Sequence, residues 1–183
     1  MTNYIIFETE IGWAALAWAD KGLVGVRLPE AEPERARGRL LARFPGATEA
    51  EPTPEISRAM DGVRALMRGE KDDLKDVAIE IGRVPAFNAQ VYEIARAIPP
   101  GETLTYGQVA ERLGDKLLAR DVGQALGQNP WPIVVPCHRV TAAGGKLGGF
   151  SAPGGAQTKL RLLEIEGAAA AKAQKPAQGS LFQ

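Results

Sequence analysis

The stretch YGQVAERLGDKLLARDVGQALGQNP, residues 106–130, decides how the C-terminal half of this chain folds. Tyr106–Leu113 reads as a short amphipathic helix stopped by Gly114, and Ala119–Gln128 as a second, stopped by Asn129-Pro130. Two short helices joined by about five residues form a helix-turn-helix pattern. On the second helix Ala119, Val122 and Leu126 make the inward stripe, while Arg120, Gln124 and Gly127 share the opposite face. Gly123, Ala125 and Gly127 leave little side chain, so a backbone or a groove wall can come close. The row of Asn, Gln and Arg that direct base readout in a major groove requires is missing. Any contact with nucleic acid is therefore expected to show little sequence preference. An Ala/Gly-rich packing helix accounts for the same residues equally well.

Working outward, Phe87–Ala97 is a helix with Val91, Ile94, Ala95 and Ile98 on its apolar side, broken by Pro99-Pro100-Gly101. Before Arg83-Val84-Pro85 the character differs. Residues 3–8, 12–19 and 22–28 read as a small antiparallel meander, residues 30–44 and 54–67 as helices, and 77–81 as a further strand. Downstream, WPIVVPCHRV (131–140) reads as a buried apolar strand, followed by a Gly-rich loop, GGKLGG (144–149), and a helix over 158–166 stopped by Gly167. The loop is not a phosphate cradle, because the Ser/Thr after the lysine and the preceding spacing are absent. The expected division is a structural α/β unit over 1–84, a second domain over 85–167 and a flexible tail over 168–183.

The 183 residues carry 22 Lys plus Arg against 22 Asp plus Glu, with 45% apolar residues. A neutral chain is neither a polybasic nucleic-acid coat nor held to a membrane by charge. With one cysteine, Cys137, and one histidine, His138, it can build neither an internal disulfide nor a Cys/His zinc cage, so no metal is expected. No apolar run approaches the roughly 20 residues that cross a bilayer, and the start lacks a secretory pattern. The expectation is a cytoplasmic, reduced, monomeric protein without membrane contact.

A lone cysteine is more often a small buried hydrophobe than a nucleophile. Here Pro136 fixes the backbone before it, and His138 and Arg139 follow abruptly on Ile133-Val134-Val135, which suits a strand end that opens on a site. A neighbouring imidazole or positive dipole is expected to lower the thiol pKa and make it reactive.

PCHRV (136–140) resembles the active-site signature of the O6-alkylguanine–DNA alkyltransferases, also called methylated-DNA–protein-cysteine methyltransferases. The resemblance extends over about residues 87–167 through GETLTYGQVA (101–110), ARDVGQALGQNP (119–130), IVVPCHRV (133–140), GGFS (148–151) and KLRLLEIEG (159–167). It implies an α+β protein: an N-terminal ribonuclease-H-like α/β domain and a mostly helical, winged-helix-like C-terminal domain carrying the helix-turn-helix. The implied activity is irreversible transfer of an alkyl group from O6 of guanine in double-stranded DNA to the protein's own cysteine, with O4 of thymine left open as a second substrate.

The resemblance also implies roles. Cys137 is the nucleophile; His138, through a water, and Glu166 form the relay that removes its proton, and Asn129 braces the adjoining turn. Tyr106 crowds the target phosphate and gives a proton to the leaving guanine. Arg120 fills the space vacated by the flipped base, and Tyr106, Gly107, Arg120, Gly123 and Gln124 make the DNA face. The backbone of Cys137 and Val140 reads the exocyclic amine, Ser151 the O6 side, and Phe150 stands as an aromatic lid. Flipping is needed because the alkyl carbon is inaccessible within the stack. No cofactor or second thiol is expected, so each molecule acts once.

Asp121 is a departure, since a carboxylate on a DNA-facing helix repels phosphate. Two other readings remain. A non-catalytic lesion-binding module shares the fold but does not need Cys137; a cysteine hydrolase turns over, and a sequence-adjacent Cys-His pair is not its usual arrangement. In the tail, Gln178-Gly179-Ser180-Leu181-Phe182 resembles the QxxLF peptide by which bacterial repair proteins dock on the sliding clamp, through Gln178, Leu181 and Phe182. A frayed chain end accounts for the same residues.

Overall fold

The computed structural model describes residues 1–150 and 154–174. Three strands, β1 (Asn3–Thr9), β2 (Gly12–Ala19) and β3 (Gly22–Glu30), form the expected antiparallel meander, and a short β4 (Thr48–Glu49) adds parallel to β1 in the order β3-β2-β1-β4. The sequence of β2, GWAALAWA, has no polar face because both sides of the sheet are covered. Ala14, Leu16 and Trp18 face the main core, where α2 (Pro54–Met67) supplies Ile56, Ala59, Met60 and Val63. Ala15 and Ala17 face the other way, with Tyr4, Val24 and Leu40 of α1 (Pro33–Arg43). Register shifts where Ala17 pairs with Gly25 and Trp18 with Leu23, and this bulge lets Leu23 and Val26 share the main core. Gly25 sits so close beneath Phe44 that a Cβ there would lie 2.5 Å from the ring.

The second half contains α3 (Ala86–Arg96), β5 (Leu104–Thr105), α4 (Tyr106–Arg112), α5 (Ala119–Gly127), β6 (Val140–Thr141), α6 (Gly155–Ile165) and α7 (Ala169–Lys172). A reciprocal cap starts α4: Thr105 Oγ1 accepts from Gln108 N at 3.1 Å, and Gln108 Oε1 accepts from Thr105 N at 2.8 Å. A 3-10 turn over Lys116–Leu118, begun by Asp115, delivers the chain into α5. The expected helix pair is thus present with its short connection.

One apolar core runs through both halves, and Trp131 is its joint. Its indole donates to Leu23 O at 2.8 Å, its ring meets Tyr92 edge-on at 6.1 Å, and Val26 N donates to Pro130 O at 2.9 Å. Tyr92 in turn donates to Ala125 O of α5 at 2.6 Å.

Three local expectations are corrected. Residues 77–81 are not a strand: a single bridge joins Leu23 and Ile79, after which Ile81–Arg83 turns as a 3-10 helix. The outer edge of β3 is already divided, with Leu23 bonding residues 78 and 80 and Val26 taken by Pro130, so no longer ladder can form. Residues 131–139 are buried, apart from the half-buried Pro132, but not extended. Pro132 and Pro136 have no N–H to give a ladder, Ile133 adopts φ 77°, and the segment closes through turns of Val135 N on Trp131 O and Cys137 N on Val135 O. Finally, residues 169–172 of the expected flexible tail are helical, and Ala168 and Ala171 pack on Leu163. The rest of the tail, including Gln178, Leu181 and Phe182, lies outside the described residues. Among those described, no helix is long and apolar enough to cross a membrane.

Because Trp131 is fully buried between the two halves, Trp131→Ala is expected to cost about 3–5 kcal/mol of unfolding free energy in urea titration. A loss below about 1 kcal/mol would mean that the halves do not depend on this joint.

Candidate active site

Cys137, His138 and Arg139 form a single 3-10 turn, and β6 follows at once. Asn129 pins the loop leading into it: its Nδ2 donates to Val135 O at 2.8 Å and its Oδ1 accepts from Trp131 N at 2.9 Å. The two-residue parallel pairing of β6 with β5 (Leu104 with Val140, Thr105 with Thr141) then sets the turn against the start of α4, where Tyr106 is the first residue. Short elements therefore fix Cys137 relative to Tyr106.

Glu166, at the C-terminal end of α6, reaches the same turn. His138 Nε2 lies 2.8 Å from Glu166 Oε1. Arg139, buried, donates from Nη2 to Oε1 at 2.8 Å and from Nε to Oε2 at 3.0 Å, and its Nη1 donates to Ile98 O at 2.8 Å. Burial pushes the Glu166 carboxyl up, but the hydrogen bonds and charges of His138 and Arg139 outweigh it and hold the group at about 2. Burial moves His138 down from its ordinary value, against the pull of Glu166, so the imidazole is neutral near pH 7. With an ionised carboxylate on Nε2, that nitrogen carries the proton and Nδ1 keeps its lone pair. Nδ1 is buried with no partner among the described residues, which leaves it able to accept.

Burial also pushes the Cys137 thiol up, with Asn129 and Lys159 acting in the opposite direction. The resting group is a thiol, contrary to the expected lowering. Lys159 is the second buried cation. Its Nζ donates to Val140 O at 2.6 Å and to Tyr106 Oη at 3.3 Å, and lies 5.5 Å from the Tyr106 ring centroid. Burial lowers its ammonium to about 8, opposed by Cys137. The Tyr106 hydroxyl is raised by burial and then by Cys137. Gly148, at φ 80°, packs on Tyr106 so tightly that a Cβ would lie 2.7 Å from Oη.

The thiol opens into a cavity of about 690 Å³ beneath α5, lined by Tyr106, Arg120, Gly123, Gln124, Cys137 and Phe150 among others. Arg120 and Gln124 are exposed on α5, and the ring of Tyr106 is in ordinary contact with the space a Cβ on Gly123 would take. Asp121 is exposed on the same helix. Cys137, His138, Glu166, Asn129, Tyr106, Val140 and Phe150 are thus gathered around one centre, with Gly107, Arg120, Gly123 and Gln124 on the helix pair above it. Ser151 lies outside the described residues.

Two residues escaped the sequence reading, Lys159 and Arg139. Lys159 and Glu166 are seven positions apart on the apolar stripe of α6 that Leu162 and Leu163 occupy, and a lysine in such a stripe is the signal. Arg139 carried no signal beyond its place in PCHRV.

Fold and site together define a class: a protein whose buried thiol lies beneath a helix-turn-helix. A family model described as 6-O-methylguanine DNA methyltransferase, DNA binding domain, matches residues 86–168. The methylated-DNA–protein-cysteine methyltransferase of Mycobacterium tuberculosis is 36% identical over 183 residues, covering 100% of this chain and 99% of the relative. The crystal structure of Mycobacterium tuberculosis OGT in complex with DNA is similar at a TM-score of 0.72 and 34% identity, over 93% of this chain and 98% of that one. A DNA base-flipping protein of Thermus thermophilus is 37% identical over 139 residues, 76% of this chain and 91% of the relative. This chain belongs to the methylated-DNA–protein-cysteine methyltransferase family.

The held-down Glu166 gives a signed prediction. A carboxyl held below its ordinary 4.5 contributes stability in full above that pH and loses it as pH falls toward about 2. Glu166→Gln should therefore destabilise by about 3–5 kcal/mol at neutral pH, because Arg139 is left buried without its counter-charge. In urea unfolding, the gap from wild type should narrow through the acid range; a constant gap would show that Glu166 is not held as a carboxylate.

Proposed function

We propose that this chain repairs DNA by removing alkyl groups, methyl foremost, from O6 of guanine in duplex DNA and fixing them irreversibly on Cys137. The observation that carries this reading is the buried thiol beside a neutral imidazole whose far nitrogen is held by an ionised carboxylate, all opening beneath α5. The target nucleotide leaves the stack and enters that cavity, Arg120 fills its place, and the exposed small-residue face of α5 follows the minor groove.

His138 Nδ1 takes the Cys137 proton through one water, while Glu166 holds the imidazolium that results. The sulfur then attacks the alkyl carbon in line; the S–C bond forms as the C–O bond breaks, and the electron pair passes into the guanine ring. Tyr106 gives that ring a proton, and Lys159 beside its oxygen stabilises the phenolate formed. Val140 O, already taken by Lys159, keeps a second lone pair for the exocyclic amine of the base. The product is a thioether on the only cysteine of the chain, so the stoichiometry is one.

All the residues in these steps fall after residue 85, which supports the reading of 85–167 as the DNA-binding, catalytic domain, winged-helix-like in plan, and of 1–84 as a structural, ribonuclease-H-like unit. The near-neutral charge of the chain supports modest, salt-sensitive DNA binding with little sequence preference.

Intact-protein mass spectrometry after incubation with a duplex holding one O6-methylguanine tests the chemistry. The expected outcome is a gain of one methylene that saturates at one equivalent and is absent from Cys137→Ser. A duplex bound by wild type without any mass gain would reduce the protein to lesion recognition. The tail segment 178–182, outside the described residues, is proposed to dock on the sliding clamp. Deleting 178–183 should then abolish clamp binding in gel filtration and leave the methyl transfer unchanged; undiminished clamp binding overturns it.

A further inference from the structure

A second cavity, of about 700 Å³, lies against the first and shares Leu126, Gly127, Cys137 and Phe150 with it. Its far wall comes from the N-terminal half: Arg27 of β3 and Arg39 and Arg43 of α1. No acidic side chain lines it among the described residues. Arg39 is paired, donating to Glu30 at 2.6 Å, and Arg43 lies over the Phe44 ring at 5.4 Å. Arg27 is half-buried, and its Nε is fully buried without a hydrogen-bond partner among the described residues. Burial, and then the charges of Arg43 and Arg39, make it harder to keep the Arg27 guanidinium protonated.

The chain as a whole is neutral, so this gathering of cations is a local choice rather than a general basic character. Guanidinium groups that converge on one cavity repel each other, and a buried N–H without an acceptor adds a desolvation cost. Nothing in the repair chemistry derived above uses these arginines. An anion between them relieves both costs at once, and guanidinium is the group best shaped for phosphate or carboxylate oxygens.

We propose that Arg27 and Arg43 form an anion seat that takes a negatively charged group of the DNA substrate while its base is held at Cys137. The inference rests on the alkyl-transfer reading, and the position of the cavity leaves two sources for the anion. One is a backbone phosphate beside the flipped nucleotide. The other is the substituent itself. In-line attack puts sulfur, carbon and O6 on one axis, so whatever else the carbon carries projects sideways, and a carboxylate on it can enter the arginine-lined space.

Full-length wild type, Arg27→Gln and Arg43→Gln are compared on three duplexes: unmodified, O6-methylguanine and O6-carboxymethylguanine. Binding is read by fluorescence anisotropy across a salt series, and transfer by single-turnover mass spectrometry. A phosphate seat weakens binding of all three duplexes about tenfold at low salt and lowers the salt slope by about one. A carboxylate seat leaves the unmodified and methyl duplexes untouched and slows only carboxymethyl transfer, by about tenfold. Variants equal to wild type on every duplex overturn the seat. Arg43 is exposed, so its variant decides the matter if Arg27→Gln does not fold. Wild type that binds but transfers no alkyl group defeats the alkyl-transfer reading alone, and binding then decides the seat: variants weaker on all three duplexes keep a phosphate seat, variants weaker on the carboxymethyl duplex alone keep a carboxylate seat, and variants equal to wild type overturn both; wild type that binds no duplex defeats the seat and the reading together.

Discussion

The ion pair between Arg139 and Glu166 holds this site together, and it is buried. Taking both charges out of water is costly, and an apolar pair would often be at least as stable, so its value lies in what it fixes. Arg139 ties the Cys137 turn to the end of α6 and, through Ile98 O, to the segment after α3. It also supplies the positive charge that Glu166 needs, so that His138 can remain neutral beside a carboxylate. Were Arg139 absent, Glu166 would draw a proton onto His138, and an imidazolium has no lone pair with which to act as a base.

Helix α6 organises both ends of the chemistry. Seven residues separate Lys159 from Glu166, about two turns, which puts both on one side of the helix. The carboxylate end meets His138 and the ammonium end meets Tyr106, so in the proposed mechanism proton removal from the thiol and proton delivery to a leaving group are spaced by one rigid rod. The C-terminal end of α6 is held as well: Ala168 and Ala171, before and within α7, pack on Leu163 and on the half-buried Leu147, from which the loop runs to Gly148 and Gly149 over Tyr106.

Much of this was legible in the sequence, and the exceptions share a cause. The meander, α2 and the helix pair follow from periodicity and stop signals, because each is decided within its own window. The apolar segments 77–81 and 131–139 have strand composition but are not strands, since the edge of β3 that would extend them is occupied by Pro130 and the prolines in the second deny it donors. Pairing partners are distant in sequence, so no local pattern reveals that an edge is full. For the site, the motif resemblance named most of the polar side chains that the structure gathers around Cys137, but not the two buried cations. Arg139 looks like a surface charge in a one-dimensional reading, and only its partner Glu166 explains its burial; Lys159 stands in the apolar stripe of α6, but its partners there, Val140 O and Tyr106, are distant in sequence. The direction of the thiol shift was missed for a related reason: a histidine adjacent in sequence suggests a thiolate, yet desolvation outweighs it.

A raised thiol suits a protein that consumes its cysteine in one event. A neutral thiol is a poor nucleophile, so soluble alkylating agents that reach the cavity find little thiolate to attack. In the proposed mechanism, reaction then requires two coincident conditions: a base in place to take the proton, and a leaving group whose developing charge is met by Tyr106 and Lys159. A flipped O6-alkylguanine meets both; a stray electrophile meets only the first. Burial that slows the thiol thereby raises discrimination, and the same desolvation that pushes Cys137 up depresses His138 and keeps it neutral. One physical effect, the burial of the turn at 137–139, moves both groups, and in the proposed mechanism it sets the base, guards the nucleophile and makes the substrate's own leaving group the trigger.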